Sequence, residues 1–353
     1  MTSPSRSNST APTSATGKVT LLVLGAGWTW QFLEPLLKQK ADITYAATTT
    51  DGRVGTIPFK FDQDSDDLED AVKRLPLADY VLITFPLKGK GPSRKLVSMY
   101  AETHGQHCDR ATSDTPVMVG RQGDDERDAQ AGSTTTTTTT ITDTKWIQLG
   151  STGIWTSPNF VDGHSPIDPS NERGAAEYEL TSLGGCVLNL AGLYGAQRQP
   201  GNWIARVAKT KDQLGEKGAL HLIHGSDVAG AVVGVIEADR AETDKNASGG
   251  QSPTTEKLFG RRWIVADCVC YDWWSVVWDF SGDSSEDSDR DEEGAEQQTK
   301  LAERRKYRRW VMELMQDKGV KALPRPLDAL GRKLDAREFW QAVGFLPERT
   351  LRR

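Results

Sequence analysis

Residues 18–38 have the sequence KVTLLVLGAGWTWQFLEPLLK. The run Val19–Leu24 is short, continuous and apolar, which is typical of a parallel strand buried on both faces. It ends at the turn Gly25–Gly27, and apolar residues at helical spacing follow over residues 28–38. A strand, a glycine turn and a helix in this order predict a phosphate-binding loop, because the first N–H groups of the helix and its positive dipole end attract anions.

The glycines of this turn match only part of the dinucleotide-binding fingerprint. Gly25 permits a tight turn, and Gly27 allows a pyrophosphate to approach the backbone. Trp30 stands where the third glycine of the fingerprint usually lies, so we expect a wider gap between helix and strand. The alternative interpretation is a glycine turn in a Rossmann-like domain that binds no ligand.

Strand-like and helix-like stretches alternate after this turn. Further strands are predicted at Ile43–Ala47, Tyr80–Phe85, Trp146–Leu149, Cys186–Leu193 and Trp263–Asp267, and helices at Asp67–Leu75, Ser93–His104, Arg173–Leu183, Trp203–Lys209, Asp227–Glu237 and Lys300–Asp317. Trp273–Asp279 fits either a helix or a strand. This alternation predicts an α/β fold with a Rossmann-type doubly wound parallel sheet. We expect residues 18–195 to form an NAD(P)-binding core, and residues 196–353 to form a small C-terminal substrate lobe with segments that return to the core.

Several segments are almost free of apolar residues. Residues 1–17 are predicted to be a disordered leader, and residues 105–143, 241–255 and 281–299 are predicted to be disordered insertions. The last insertion holds eight acidic residues and one basic residue, so its removal changes the net charge from -6 to about +1. A nearly neutral body argues against a nucleic-acid-binding protein, whereas the acidic insertion could recruit protein partners.

Membrane and redox signals are weak. No run of 18 apolar residues exists, so no membrane-spanning helix is predicted. The four cysteines suit a reducing compartment, and we expect a cytoplasmic protein. Cys268 and Cys270 alternate on a predicted strand and are interpreted as a buried pair of thiols. His104, His107 and Cys108 lack a second cluster, so no metal site is predicted.

The end of the second predicted strand bears on the choice of cofactor. Thr48, Thr49 and Thr50 stand where NAD-binding proteins usually carry an acid for the ribose 2′-hydroxyl, and Arg53 follows shortly. Hydroxyl groups and an arginine suit a 2′-phosphate, which favours NADP. Asp51 keeps NAD as an alternative.

Four motifs together resemble the extended and atypical short-chain dehydrogenase/reductases of the NAD(P)-dependent epimerase/dehydratase type. They are Gly25–Trp28, Gly150–Trp155, Ala191–Gly195 with Arg198, and His224–Asp227. The resemblance covers about residues 18–240. It implies an NADP-dependent oxidoreductase or an epimerase-like enzyme acting on a small carbonyl or sugar substrate. The alternative is a catalytically inactive NADP-binding sensor or scaffold.

The family's catalytic pattern is incomplete in this chain. The resemblance places Ser151 and Thr152 at the strand end that polarises the substrate oxygen, but no Tyr-x-x-x-Lys pair is present. In one alignment Tyr178 is the tyrosine and Ser182 replaces the lysine. In the other, which we prefer, Pro169 and Arg173 occupy the two positions. Tyr194 is a candidate replacement phenol.

These interpretations define a set of candidate site residues. The candidate catalytic residues are Ser151, Thr152 and Tyr194, and the candidate cofactor-binding residues are Gly25, Ala26, Gly27, Trp28, Thr29, Trp30, Thr48, Thr49, Arg53, Phe85, Pro86 and Arg173.

Overall fold

The structure is a computed structural model, and it describes residues 17–53, 55–105, 144–247, 257–281 and 294–351. The strands are β1 (Val19–Leu24), β2 (Tyr45–Thr49), β3 (Ile57–Pro58), β4 (Ala78–Ile83), β5 (Lys145–Ser151), β6 (Phe160–Val161), β7 (Cys186–Leu190), β8 (Gly192–Tyr194), β9 (Ala219–Leu220), β10 (Leu222–His224), β11 (Arg261–Val265), β12 (Tyr271–Asp272) and β13 (Lys333–Leu334). The α-helices are α1 (Trp30–Leu37), α2 (Leu68–Lys73), α3 (Pro92–Thr103), α4 (Glu172–Ser182), α5 (Ile204–Val207), α6 (Lys211–Gly215), α7 (Gly225–Ala247), α8 (Trp273–Phe280), α9 (Gly294–Asp317) and α10 (Arg337–Val343).

A seven-stranded sheet organises the chain, with the strand order β3-β2-β1-β4-β5-β7-β11. Every neighbouring pair in it is parallel. The chain runs outward from β1 to β3 and then returns to β4 on the other side of β1. The order therefore reverses beside β1, and ligands of open α/β sheets bind outside the carboxyl ends of the strands at such a point. The predicted α/β fold with a Rossmann-type parallel sheet is confirmed.

The continuous apolar run of β1 is explained by helices on both faces of the sheet. Leu21 and Val23 belong to the core on the face that carries α1, α7 and α10. Leu22 and Leu24 point to the other face, into the core beneath α2, α3 and α4. Because successive strand residues point to opposite faces, both faces need apolar side chains.

A third apolar core lies beside the sheet and is built from α5, α6, α8 and α9 with short strands; we call these elements the lobe. Trp274 is buried in it, and its indole N–H donates to the Leu214 carbonyl at 2.9 Å. Trp273–Asp279, which the sequence left open, lies within helix α8. Asp272 begins this helix by accepting a bond from the Trp274 N–H at 3.0 Å.

Two of the predicted insertions are partly helical in the structure. Residues 241–247, expected within an insertion, continue α7, and residues 294–299 begin α9. Both stretches contain good helix formers such as alanine and glutamate. The remainder of the predicted leader and insertions, residues 1–16, 106–143, 248–256 and 282–293, lies outside the described residues, as do His107 and Cys108.

The prediction of a buried cysteine pair is wrong. Strand β11 ends at Val265, so Cys268 and Cys270 lie in the loop that leads to β12. Cys268 is exposed and has a positive φ of 60°, whereas Cys270 is partly buried. Side chains two residues apart share a face only within a strand. Because β11 ends at Val265, this alternation does not apply to Cys268 and Cys270.

Candidate functional site

The Gly25–Gly27 turn lies between the ends of β2 and β4. Gly25 has φ +94°, and a Cβ atom there would come within 2.6 Å of Thr84 Oγ1. The Thr84 hydroxyl donates to the Gly25 carbonyl at 2.6 Å, and the Gly25 N–H donates to Thr48 Oγ1 at 2.9 Å. Both the backbone conformation and the close contact therefore require glycine at position 25.

Two N–H groups directly after this turn are available to an anion. The Ala26 N–H donates to the Thr48 carbonyl at 2.6 Å, and the Gly27 N–H donates to the Gly25 carbonyl at 2.8 Å. Within the described part of the chain, the N–H groups of Trp28 and Thr29 have no acceptor. They directly precede α1, where unpaired N–H groups and the helix dipole favour a phosphate.

Trp30, at the position of the missing third glycine, turns away from this loop. Its ring packs edge-on against Tyr45 of β2, with centroids 5.8 Å apart. It lines none of the three cavities at the carboxyl edge of the sheet. The tryptophan therefore leaves the phosphate-binding turn open.

Three cavities follow one another along the carboxyl edge of the sheet. The first, about 460 Å³, lies beside the Gly25–Gly27 turn and the end of β2. The middle cavity, about 370 Å³, lies between the turn and the end of β5. The outer cavity, about 620 Å³, lies against the lobe.

The cavities form one continuous groove because neighbours share lining residues. Gly27, Thr84 and Pro86 line both the first and the middle cavity. Leu193 and Arg198 line both the middle and the outer cavity. The groove thus runs from the end of β2, past β1 and β4, to the lobe.

The groove is cationic. Its lining includes Arg53, Lys60, Arg173, Arg198 and Arg206. Among the described residues, no aspartate or glutamate lines any of the three cavities. In a chain with 49 acidic and 43 basic residues, this separation of charge marks a site for an anionic ligand.

The first cavity carries its positive charge next to hydroxyl groups. Arg53 donates from its guanidinium to the Ala26 carbonyl at 3.3 Å and from its backbone N–H to Thr49 Oγ1 at 3.2 Å. Lys60 lies in the same lining. Asp51 is exposed and does not line the cavity; a hydrogen bond from Thr49 lowers the pKa of its carboxyl.

An aromatic pair forms part of the same cavity. The rings of Phe61 and Phe85 are stacked, with centroids 6.1 Å apart and planes at 15°. Sequence reasoning singled out Phe85 at a strand end but missed Phe61 and Lys60. Their only signal is a two-residue strand, β3, that brings the residues after it to the edge of the sheet.

Ser151 lies in the middle cavity at the end of β5, and a buried polar network supports it from below. Its Oγ accepts a bond from the Gly153 N–H at 3.2 Å. Its backbone N–H donates to Glu177 Oε1 at 3.3 Å, and Asn189 Nδ2 donates to Glu177 Oε2 at 2.7 Å. Glu177 is fully buried, and this burial raises the pKa of its carboxyl.

Gly150 makes room for this network. A Cβ at position 150 would come within 2.5 Å of Asn189 Nδ2 and 2.6 Å of Glu177 Oε1. The backbone beside Ser151 is therefore held by buried groups rather than by solvent. A rigid strand end of this kind suits a residue that must orient a ligand.

The structure does not bring the other two candidate catalytic residues to the groove. Thr152 is buried, and its hydroxyl donates to the Leu190 carbonyl at 3.3 Å. The ring of Tyr194 lies in the core of the lobe beside His224, and burial raises the pKa of its phenol. Tyr178, from the alternative alignment, is exposed on α4 and lines none of the cavities.

Arg173 and Arg198 face the middle cavity from opposite elements. Arg173 follows the start of α4, which Asn171 caps by accepting a bond from the Gly174 N–H at 3.0 Å. The Arg198 guanidinium lies 4.6 Å from the centroid of the Trp28 ring. The middle cavity is therefore flanked by two cations.

Most of the candidate residues meet in the groove. Those that line it are Gly25, Ala26, Gly27, Trp28, Thr29, Thr49, Arg53, Phe85, Pro86, Ser151 and Arg173. Those that do not are Trp30, Thr48, Thr152 and Tyr194.

Among the described residues, no group of three or more His, Cys, Asp or Glu side chains could hold a metal ion. The same residues include no helix that is both long and apolar enough to cross a bilayer.

No family model matches the chain, and no curated protein matches it. Solved structures do match. UDP-N-acetylglucosamine 4-epimerase from Bacillus cereus is 9% identical with a TM-score of 0.47, and the match covers 94% of each chain. The yeast methylglyoxal/isovaleraldehyde reductase Gre2 complexed with NADPH is 13% identical with a TM-score of 0.45, again over 94% of each chain. A functionally unknown conserved protein from Silicibacter pomeroyi is 15% identical with a TM-score of 0.48, over 94% of this chain and 95% of that one.

The fold of this chain is established by its own strand order, and the candidate site by its own groove.

Proposed function

We propose that this chain is an NADP-dependent oxidoreductase or an epimerase-like enzyme that acts on a small carbonyl or sugar substrate. The observation that carries the proposal is the continuous, acid-free cationic groove at the point where the strand order reverses. Dinucleotides bind at this point in doubly wound sheets. A polyanionic cofactor also explains why the cations lie at one edge of an acidic chain.

The residues of the first and middle cavities fit the parts of NADP. The pyrophosphate would accept hydrogen bonds from the unpaired N–H groups of Trp28 and Thr29. These groups lie close to Gly25, where a side chain would collide with Thr84. The 2′-phosphate would lie between Thr49, Arg53 and Lys60, which favours NADP over NAD. The nicotinamide would then lie in the middle cavity beside Ser151.

When bound, the cofactor would supply or accept a hydride. Ser151 is suited to orient the substrate, since its hydroxyl accepts a bond from Gly153 and keeps its own proton to donate to a substrate oxygen. The Arg173 guanidinium would stabilise negative charge that develops on that oxygen, but it is too basic to donate a proton at neutral pH. In reduction, the proton that the oxygen takes up would come from solvent.

A calorimetric titration of the wild-type protein with NADPH and NADH tests the cofactor assignment. We expect micromolar NADPH binding and NADH binding at least about tenfold weaker, because the charge-assisted bonds to the 2′-phosphate are absent in NADH. Saturating NADPH should also raise the free energy of unfolding by about 3 kcal/mol, since it binds only the folded chain. Absence of binding by both nucleotides would contradict the proposal.

A second function, NADP binding without turnover, is favoured by one observation. Among the described residues, no Tyr, Lys, His, Asp or Glu lines the middle cavity. A sensor or scaffold needs no acid or base there. Turnover of NADPH with a panel of carbonyl compounds separates the two functions. For an enzyme, Ser151→Ala should lower kcat by about tenfold to a hundredfold and leave NADPH affinity within about twofold.

A further inference from the structure

The outer cavity is left over once the dinucleotide is placed. NADP would take the first and middle cavities, and the outer cavity continues the groove beyond Leu193 and Arg198. Its volume of about 620 Å³ lies within the usual range for a small-molecule site. A substrate held there could reach the middle cavity, where Ser151 lies.

The charged groups of this cavity are arginines without acidic partners. Arg198 and Arg206 line it, and neither forms an ion pair within the described part of the chain. Some arginines elsewhere do pair; for example, Arg325 lies 2.6 Å from Asp272 and Arg261 lies 2.6 Å from Glu338. Two unpaired guanidinium groups in one cavity form a site for an oxyanion.

The turn that carries Arg198 is strained. Gly195 and Arg198 exchange two backbone hydrogen bonds of 2.9 and 3.0 Å, and Ala196 between them has a positive φ of 49°. A non-glycine residue in this region costs about 1 kcal/mol or more, and such strain is found where the surrounding structure holds a functional group in place. Here it holds Arg198 against Trp28, at the junction of the middle and outer cavities.

Apart from the two arginines and the polar Gln197 and Asn202, the lining is apolar. Trp203 is partly buried, and Trp273 is 9% exposed at the start of α8. Val207 and Leu220 complete the apolar wall. Indole rings provide broad surfaces for planar carbon skeletons. Both arginines of the lining are exposed to solvent.

We propose that the outer cavity binds the substrate, and that this substrate is a planar, largely apolar carbonyl or alcohol bearing an oxyanion, a carboxylate or a phosphate, which Arg198 and Arg206 hold. The inference rests on the proposed function for the reaction, but the anion site can be tested without cofactor. The substrate would carry both an oxyanion and an apolar ring.

Four small probes test this combination by ligand-observed NMR titration: benzoate, phenyl phosphate, acetate and benzyl alcohol. We expect benzoate and phenyl phosphate to bind, whereas acetate lacks the ring and benzyl alcohol lacks the charge, so each should bind at least about tenfold more weakly. Tighter binding of benzoate would indicate a carboxylate substrate, and tighter binding of phenyl phosphate would indicate a phosphate.

Arg206→Gln is the test variant because Arg206 lines only the outer cavity. It should lower the affinity for the ring-bearing anions by about tenfold or more. Arg309→Gln, at an exposed position of α9 away from the groove, should leave all probes unchanged. NADPH titrations of both variants should match wild type.

The results separate this inference from the proposed function. Equal binding of benzoate and benzyl alcohol, or unchanged anion binding in Arg206→Gln, overturns the inference even if NADPH binds normally. Failure of the wild-type protein to bind NADPH overturns the proposed function, while loss of anion binding in Arg206→Gln alone would still support the anion site.

Discussion

The two ends of the groove are built in different ways. At the first cavity, the backbone of Gly25–Gly27 and the adjacent strand ends form the surface, so the main requirement is glycine at a fixed position. At the outer cavity, side chains on a strained turn, the short helix α5 and the start of α8 form the surface. The comparison indicates that a backbone-built site tolerates few changes, whereas a side-chain-built site can change its ligand without changing the fold.

The largest expected effect comes from a substitution in the backbone turn that forms the first cavity. Gly25→Ala forces an alanine to φ +94° and brings its Cβ within 2.6 Å of Thr84 Oγ1. We expect the free energy of unfolding to fall by about 2–4 kcal/mol and NADPH affinity to fall by more than about a hundredfold. Urea denaturation and calorimetry measure the two effects.

Gly260→Ala is the matched control for this substitution. Gly260 has φ +78°, but a Cβ there would meet nothing within 4 Å. It should therefore show only the conformational cost, about 1 kcal/mol, with unchanged NADPH binding. If the two variants behaved alike, the close contact with Thr84 would not be what makes the turn sensitive.

The next largest expected effect is a change in the pH dependence of stability. It concerns two buried groups, Asp267 just after β11 and His221 just before β10. Burial raises the pKa of Asp267 from 3.8 to about 6 and lowers that of His221 from 6.5 to about 4. The contribution of Asp267 to stability is complete below pH 3.8 and is lost as the pH rises to about 6. The contribution of His221 is complete above pH 6.5 and is lost as the pH falls to about 4.

The two contributions, each about 3 kcal/mol, oppose one another in the wild-type protein. Asp267→Asn keeps an acceptor for the Tyr271 hydroxyl, which now donates to Asp267 Oδ2 at 2.6 Å, but removes the titration. Relative to wild type, we therefore expect its stability to increase with pH between about pH 4 and 6. Denaturant titrations at four pH values measure this, and parallel pH profiles for the two proteins would contradict the assignment.

The smallest expected effect is that of removing a positive charge from the first cavity while its backbone stays unchanged. Arg53→Gln removes a guanidinium next to Thr49, and we expect NADPH affinity to fall by about tenfold to thirtyfold with NADH affinity unchanged. Lys60→Gln should have a smaller effect, because Lys60 is exposed and also lies 3.5 Å from Asp62. Equal losses for NADPH and NADH in Arg53→Gln would show that this arginine does not read the 2′-phosphate.

The first cavity could be predicted from the sequence because the elements that form it are local. The run Val19–Leu24, the turn Gly25–Gly27 and the Thr49–Arg53 segment are contiguous in the chain and have strong patterns. Lys60 was missed because its position depends on β3, a strand of two residues that no periodicity reveals.

The outer end was harder to predict because it is assembled from distant segments. Thr152 and Tyr194 were chosen from motif order, but both side chains are buried and line none of the three cavities. Arg198, Arg206 and Trp273 line one cavity only because of how the lobe packs against β8. Sequence spacing cannot supply such contacts between segments.

A crystal structure of the wild-type protein grown with NADPH tests the central claim most directly. We expect the pyrophosphate against the backbone of Trp28 and Thr29, the 2′-phosphate between Arg53 and Lys60, and the nicotinamide beside Ser151. The outer cavity should then remain open to a substrate. A nucleotide bound elsewhere, or a groove that excludes it at saturating concentration, would contradict the account.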